Sequence, residues 1–311
     1  MSRRRRRAPP VPAALRWTDG VLARLVEAVA KGVGRLPPAT ADRLGRGLGA
    51  LAYRCLGRRR AIALQNLAIA FGDRAPGELR DLARRSFQHL GVTAAECCRL
   101  FFGPPGLLLG RVQVEGLPHL KAAMAQERGA LLLSAHFGNW ELLAAAHVLT
   151  GYPLSVVIRP LDSPALEAVL ARCREGVGLQ LIPKREALRG VVTALARGGM
   201  VGVLLDQNAT LHEGVFVPFF GRLASTSKGL ALLAQKTGAP VVPVLIRREP
   251  DGTHRVTVDP PVPLQQSGDR EADVLANTAA FTRIIERHVL AHPEQWFWVH
   301  RRWKTRPPDE G

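Results

Sequence analysis

The chain has 311 residues, 47% of them hydrophobic, which is enough to bury a sizeable core. Its four cysteines (Cys55, Cys97, Cys98 and Cys173) form no CxxC or Cys/His cluster. That argues against a disulfide scaffold or structural zinc site and for a reducing compartment. A net charge of +17 favours an anionic partner, while 5% aromatic residues and no zinc-finger or RNP-like box argue against nucleic acid.

The amino-terminal run Arg3–Arg7 reads as a solvated basic tail or as a contact with an anionic leaflet. Apolar positions at helical spacing then predict helices over Val21–Val33, Leu44–Leu56, Ala61–Phe71 and Leu79–Leu100. "LPP" at Leu36–Pro38 and "FGDRAPGE" at Phe71–Glu78 separate them. The first helix carries Arg24, Glu27 and Lys31, so it reads as amphipathic and not as a membrane span. Arg54 and Arg58–Arg60 extend a polar face: either an ordinary solvated face or a basic amphipathic helix at a membrane. "LFFGPPGLLL" at Leu100–Leu109, broken by Pro104 and Pro105, reads as a buried connection or as a membrane-dipping loop.

From Gly129 the texture changes. Short apolar runs predict strands at Ala130–Ala135, Leu154–Ile158, Gln180–Ile182, Val201–Leu205, Val241–Ile246 and Arg255–Val258. They alternate with predicted helices at Glu141–Leu149, Pro164–Glu175, Leu188–Arg197, Ser227–Thr237 and Ala272–Ala291. Doubly buried strands alternating with helices give an α/β fold with a mostly parallel central sheet flanked by helices, plus an N-terminal helical extension. The expected division is a basic tail over residues 1–10, a helical membrane-associating region over 11–110, and an α/β domain over 111–311.

One stretch carries the chemistry. "SAHFGNWE" (Ser134–Glu141) lies between the apolar runs "GALLL" and "LLAAAHVL". His136 falls just past a strand end, where open α/β sheets place their ligands. Asn139 can cap the following helix, and Gly138 permits a tight turn. If Glu141 folds back beneath the ring, it accepts the Nδ1 proton of His136. Nε2 is then free to take a proton from a hydroxyl, as a general base. The bland reading is a His–Glu hydrogen bond that pins a helix start.

Other residues have paired readings. Arg159 follows a strand and suits a phosphate or a developing oxyanion, or is simply a surface arginine. Asp206 ends a buried strand and is either functional or a turn cap. The aromatic "FVPFFG", with Phe219 and Phe220, is core or the lining of an acyl slot. In "WVHRRW", Trp298 and Trp303 are core anchors and Arg301 and Arg302 point at an anionic headgroup or carrier. His300 is a second titratable candidate. GxSxG, P-loop and dinucleotide fingerprints are absent.

"HFGNWE" resembles the HxxxxD/E signature of the glycerolipid acyltransferase superfamily, and most fully its bacterial branch, the late acyltransferases of lipid A biosynthesis. The resemblance continues through "RRRAIALQNLAIAFGD" (Arg58–Asp73), "VVIRPLDSPALE" (Val156–Glu167), "LLDQNATLHEGVFVPFFG" (Leu204–Gly221), "GAPVVPVLIRRE" (Gly238–Glu249) and "PEQWFWVHRRWKTRP" (Pro293–Pro307). Ser163 stands where the family often has asparagine. The resemblance implies a glycerolipid-acyltransferase-like fold and catalysis by His136 and Glu141. It implies contacts to substrate or phosphate from Arg159, Asp206, Gln207 and Arg302, and an acyl pocket at Phe219 and Phe220. It implies no metal and no cofactor. The implied donor is a thioester of acyl carrier protein or coenzyme A, and the implied acceptor is a hydroxyl of an anionic glycolipid, a lipid A precursor. The implied place is the cytoplasmic face of the bacterial inner membrane, with peripheral or weak anchoring. The alternatives are a phosphatidylinositol mannoside or lysophospholipid acyltransferase, or a non-catalytic basic module that binds lipid or nucleic acid.

Overall fold

A computed structural model describes residues 13–158 and 161–308, with side chains from residue 18 onward. The Arg3–Arg7 tail and Arg159 lie outside the described residues. Four helices come first: α1 (Ala13–Gly34), α2 (Pro38–Cys55), α3 (Gly57–Ala70) and α4 (Pro76–Phe102). Prolines at their first positions suit the starts of α2 and α4, where an N–H has no helical partner anyway. No helix among the described residues is long and apolar enough to cross a membrane.

The α2–α4 contact explains the glycine-rich "GRGLGALAYR". A Cβ on Gly49 would stand 2.2 Å from the Phe87 carbonyl oxygen, and one on Gly91 would stand 2.0 Å from that of Gly45. The two helices therefore meet backbone to backbone, a separation that only glycine allows.

The remaining elements are β1 (Val112–Glu115), α5 (Leu117–Met124), β2 (Ala130–Ser134), α6 (Trp140–Ala145), β3 (Leu154–Ile158), α7 (Pro164–Gly176) and β4 (Gln180–Pro183). They continue with α8 (Ala187–Ala196), β5 (Met200–Leu204), β6 (Gly214–Phe219), β7 (Arg222–Ser227), α9 (Gly229–Thr237), β8 (Val241–Arg248), β9 (His254–Val258) and α10 (Arg270–Ala291). A seven-stranded sheet runs in the order β1-β9-β8-β2-β5-β3-β4. Only β8 and β9 pair antiparallel within it. β6 and β7 form a separate antiparallel hairpin. The structure thus has the α/β architecture, mostly parallel sheet and amino-terminal helices that the sequence predicts.

Two residue sets alternate along β2. Leu131 and Leu133 enter a core shared with α3, α4, α8, α9 and α10, whereas Ala130 and Leu132 enter a second core on the opposite face with Leu142, Leu154 and Val256. Burial on both faces is why this strand reads as an unbroken apolar run. Each fully buried leucine contributes about 1.5–3 kcal/mol. This packing fixes the carboxyl end of β2, from which His136 projects.

The structure differs from the sequence-based expectation in several places. β1 and the β6–β7 hairpin were not anticipated. The helix expected over Glu141–Leu149 is a short α-helix followed by a 3₁₀ turn at Ala146–Leu149. Ser227 closes β7 instead of opening a helix, and α9 starts at Gly229.

Candidate active site

The turn after β2 is built from its backbone outward. Gly138 adopts φ +59, and a Cβ there would stand 2.0 Å from the Ile246 carbonyl oxygen of β8. The Gly138 N–H donates to the Gln295 carbonyl at 3.0 Å, and the Phe297 N–H donates to the His136 carbonyl at 3.1 Å. The carboxyl-terminal segment therefore straps the turn against the sheet. Asn139 caps α6, accepting from the Leu142 N–H at 3.0 Å, as its place in the sequence suggests.

Beneath the turn is a buried charged network. The Asn139 side chain donates to Glu96 Oε2 at 3.0 Å. Glu96 Oε1 also meets Arg248 Nε at 2.9 Å and His254 Nε2 at 3.1 Å. Arg248 reaches on to Asp42 of α2 at 2.7 Å. Burial alone would raise the Glu96 pKa, but His254, Arg248 and Asn139 together hold it down at about 2. Nearby His89 is pushed by burial to about 4. It stands 3.4 Å from the Gly138 carbonyl.

The partner of the catalytic candidate is not the one expected. His136 Nδ1 lies 2.8 Å from Asp206 Oδ1, and the His136 backbone N–H donates to Asp206 Oδ2 at 3.0 Å. Trp296 Nε1 donates to the same Oδ2 at 2.8 Å. Asp206 is thus buried, with its oxygens committed to His136 and Trp296. That corrects the expectation of Asp206 as a phosphate or substrate contact: its anionic oxygens face inward and would repel a phosphate.

Glu141 does not accept the Nδ1 proton. It lies in the first turn of α6 and takes a two-pronged bond from Arg174 of α7, with Nε at 3.1 Å and Nη2 at 2.5 Å. The physical reason is competition: Asp206 already occupies Nδ1, and Arg174 offers the Glu141 carboxylate a matching planar fork. Glu141 still contributes negative potential at His136, to a lesser degree than Asp206.

The His136 side chain retains 18% exposure. Burial pushes its pKa down, but the Asp206 carboxylate outweighs burial and raises the pKa above the ordinary 6.5. Asp206 shifts the other way. Burial would raise its pKa, and the bonds from His136 and Trp296 lower it instead. Gln207, exposed at the surface, places its Nε2 3.2 Å from His136 Nε2. An amide donor there matches a lone pair on Nε2 and a proton on Nδ1. Trp140 and Phe297 flank the imidazole at ring-centroid distances of 5.3 and 5.9 Å.

Other candidates fall elsewhere. Arg302 is fully buried, with Nη1 donating to the Ser225 carbonyl at 2.7 Å and Nη2 to Thr226 Oγ1 at 2.5 Å. Its guanidinium sits 5.1 Å from the Phe219 ring centroid, and burial lowers its pKa to about 10. The expectation that Arg302 points at a headgroup is corrected: it fastens the β6–β7 hairpin from within. Phe219 is 1% exposed and packs against Phe220, Trp296 and Trp303, with ring centroids 4.7–5.7 Å away. This places Phe219 in the core. Phe220, at φ +52, turns the hairpin and packs on Phe71 and Trp298. His300 Nε2 accepts from the Asn208 N–H at 3.1 Å, and burial lowers its pKa. Ser163 caps α7, accepting from the Leu166 N–H at 3.2 Å.

Two distant segments of the family-like pattern meet here. Asn66 of α3 donates to the carbonyls of Trp298 and His300 at 2.7 and 2.6 Å. Sequence reasoning missed the pairing roles of Asp206, Arg174 and Glu96. Asp206 did carry a signal: β2 and β5 are adjacent, with Ser134 opposite Leu204. His136 and Asp206 therefore stand at equivalent positions past two neighbouring strand ends.

A base held by a buried carboxylate, with a semi-exposed Nε2 between two aromatic rings, is suited to removing a proton from a hydroxyl. Residues 11–305 match the family described as bacterial lipid A biosynthesis acyltransferase. The chain is 33% identical over 276 residues to the lipid A biosynthesis lauroyltransferase of Escherichia coli K12, covering 88% of each chain. It is 32% identical over 269 residues to the lipid A biosynthesis palmitoleoyltransferase of the same organism, covering 86% of each. It is 27% identical over 250 residues to the phosphatidylinositol mannoside acyltransferase of Mycolicibacterium smegmatis, covering 79% of this chain and 80% of that one.

Proposed function

The chain belongs to the bacterial lipid A biosynthesis acyltransferase family and is an O-acyltransferase, and we propose that it moves a fatty acyl chain from an acyl thioester to a hydroxyl of a lipid A precursor. The single observation that carries the mechanism is the 2.8 Å contact between His136 Nδ1 and Asp206. With Nδ1–H held there, Nε2 carries the basic lone pair. Nε2 takes the proton of the acceptor hydroxyl as its oxygen attacks the thioester carbonyl carbon. A tetrahedral intermediate forms and collapses, the carbon–sulfur bond breaks, and His136 returns the proton to the departing thiolate. Asp206 stabilises the imidazolium that exists between the two transfers. Gln207 occupies the approach to Nε2, so an incoming hydroxyl takes its place. Glu141, locked to Arg174, adds negative potential from the second side.

The donor is a thioester of acyl carrier protein or coenzyme A. An acidic carrier suits a chain of net charge +17. The acting place is the cytoplasmic face of the inner membrane, with peripheral attachment. Support comes from exposed apolar stripes at Leu22, Leu25, Val26 and Val29 of α1 and at Leu44, Leu48 and Leu51 of α2. The similarity to the phosphatidylinositol mannoside acyltransferase favours a second acceptor, a mannoside hydroxyl.

The test is incubation of wild type and His136→Ala with carrier protein and coenzyme A thioesters of defined chains and both acceptor classes, read by mass spectrometry. Ester formation on one acceptor class, lost in a folded His136→Ala protein, is the expected result. Undiminished turnover in that variant would remove His136 from the chemistry. No product on any acceptor would favour a non-catalytic binding role.

A further inference from the structure

A cavity of about 510 Å³ opens between the carboxyl ends of α4 and α7 and the side of α1. That size is ordinary for a ligand pocket, about 300–1,000 Å³. The residues packed on or bonded to the His136 ring (Trp140, Asp206, Gln207 and Phe297) are not among its walls. Most of its surface is apolar, with Leu100, Leu109, Val148 and Val169 among its walls. Into this setting the chain places Arg99, which is 6% exposed and whose Nε has no hydrogen-bond partner.

The nearby carboxylates are already engaged. Glu96 accepts from Arg248, His254 and Asn139. Glu27, on the cavity wall, is paired with Lys31 at 2.8 Å and with Arg172 at 3.3 Å. Arg172 is itself a wall residue, and at Arg99 the Glu96 carboxylate outweighs the opposing charge of Arg111. Among the wall residues two cations, Arg99 and Arg172, face one carboxylate, Glu27. A buried arginine lacking an acceptor is costly, and an anionic oxygen relieves that cost.

We propose that this cavity is a second lipid site, separate from the acyl-transfer centre, which holds an anionic amphiphile with its phosphate or carboxylate head on Arg99 and its alkyl chain along Leu100, Leu109 and Val148. The head and chain requirements are distinct. The guanidinium recognises the charge, and the apolar walls exclude a free hydrated ion. The site does not depend on the transfer chemistry at His136.

The test uses isothermal titration of the full chain, below micelle concentrations, with decyl phosphate, decanoate, inorganic phosphate and decyl maltoside. One decyl phosphate or decanoate is expected to bind per chain, and the tighter of the two identifies the head. Inorganic phosphate and decyl maltoside each lack one half of the ligand and should bind at least tenfold more weakly. Arg99→Gln should weaken the anionic amphiphile by about tenfold or more, the worth of a charge-assisted bond. Gly176→Leu is the second variant. Gly176 lines the cavity, and a Cβ there meets no atom within 4 Å, so leucine fills the space without straining the helix. It too should abolish or sharply weaken binding, with the fold intact by melting. His136→Ala should leave binding unchanged even as turnover is lost. The proposal is overturned by unchanged affinity in both cavity variants, by loss of binding in His136→Ala, or by equal affinity for decyl maltoside.

Discussion

Arg174 grips both oxygens of Glu141, while Asp206, at an equivalent strand end to His136, takes the imidazole. Two acidic residues near one histidine thus have separate tasks. Asp206→Asn should lower turnover by about 10²–10⁴-fold, the usual range for impaired base catalysis. Glu141→Gln should act mainly on the scaffold. It leaves Arg174, 20% exposed, without its ion partner, at a cost of about 3 kcal/mol. Steady-state rates and thermal melts of both variants separate the two effects.

The pH profile follows from the same pair. As the proposed base, His136 can take a proton only when neutral, and Asp206 raises its pKa above 6.5. The rate should therefore fall as pH drops through that raised value. Asp206→Asn should move the inflection down, and further than Glu141→Gln does. Stability carries both signs. The raised His136 contributes fully below its unfolded pKa, and this is lost as pH rises through the folded one. The depressed Asp206 contributes above its unfolded pKa, and this is lost as pH falls through the folded one. Melts across about pH 4–9 beside the rate profile check both. A profile with no inflection difference between wild type and Asp206→Asn would dissociate the carboxylate from the base.

Gly138→Ala tests the turn. The new Cβ would meet the Ile246 carbonyl at 2.0 Å in a backbone held at φ +59, so the turn must move. A displacement of about 1 Å at a reacting group can cost about 10²-fold in rate. Turnover should fall by at least that, with acyl-donor preference unaltered.

Phe219→Ala distinguishes a core role from a channel. Phe219 is packed among Phe220, Trp296 and Trp303 with Arg302 over its face. Truncation should cost about 3–5 kcal/mol of stability and leave the preferred donor length unchanged. A competition among donors of different chain lengths, run beside melts, is the measurement. A shift to longer donors would return Phe219 to an acyl slot.

The apolar stripes on α1 and α2 predict a surface-binding phenotype. Leu25, 62% exposed, and Leu48, 53% exposed, are the most direct targets. Leu25→Glu with Leu48→Glu should weaken sedimentation with anionic vesicles by tenfold or more while leaving the melting temperature near wild type. Salt near 1 M shortens the Debye length to about 3 Å and should release much of the remainder. Binding that survives both changes would locate the attachment elsewhere.

Much of the fold was legible because the inner strands β2 and β8 are buried along all or most of their length. β2 and β5 read as unbroken apolar runs, and helices with one apolar face read by their period. β1 was not legible. "VQVE" is a four-residue edge strand, too short for its alternation to stand out. The β6–β7 hairpin was hidden by Pro218 and by a turn at Phe220 and Gly221 that lacks the usual turn dipeptides. At the site, His136, Gly138 and Asn139 were legible because they are neighbours in sequence. The Asp206 pairing depends on β2 and β5 being adjacent, and strand order is not written in local spacing. Arg302 misled for a similar reason: burial of a charged side chain against Ser225 and Thr226 of a distant strand leaves no local mark.

The glycine seam between α2 and α4 has a consequence for the proposed contact with a lipid surface. Gly45, Gly49 and Gly91 remove the side-chain layer that normally lets packed helices slide. From α4, Glu96 reaches Asn139 directly, and from α2, Asp42 reaches the same carboxylate through Arg248. The α2 helix that carries the outer leucines and the turn that carries His136 are thus joined by backbone contact and a few short bonds. Under the proposed peripheral attachment, these contacts set the height of the imidazole over a surface touching α2. An acceptor lipid would then have to rise to that height, and its reach out of the bilayer would become a criterion of selection in its own right.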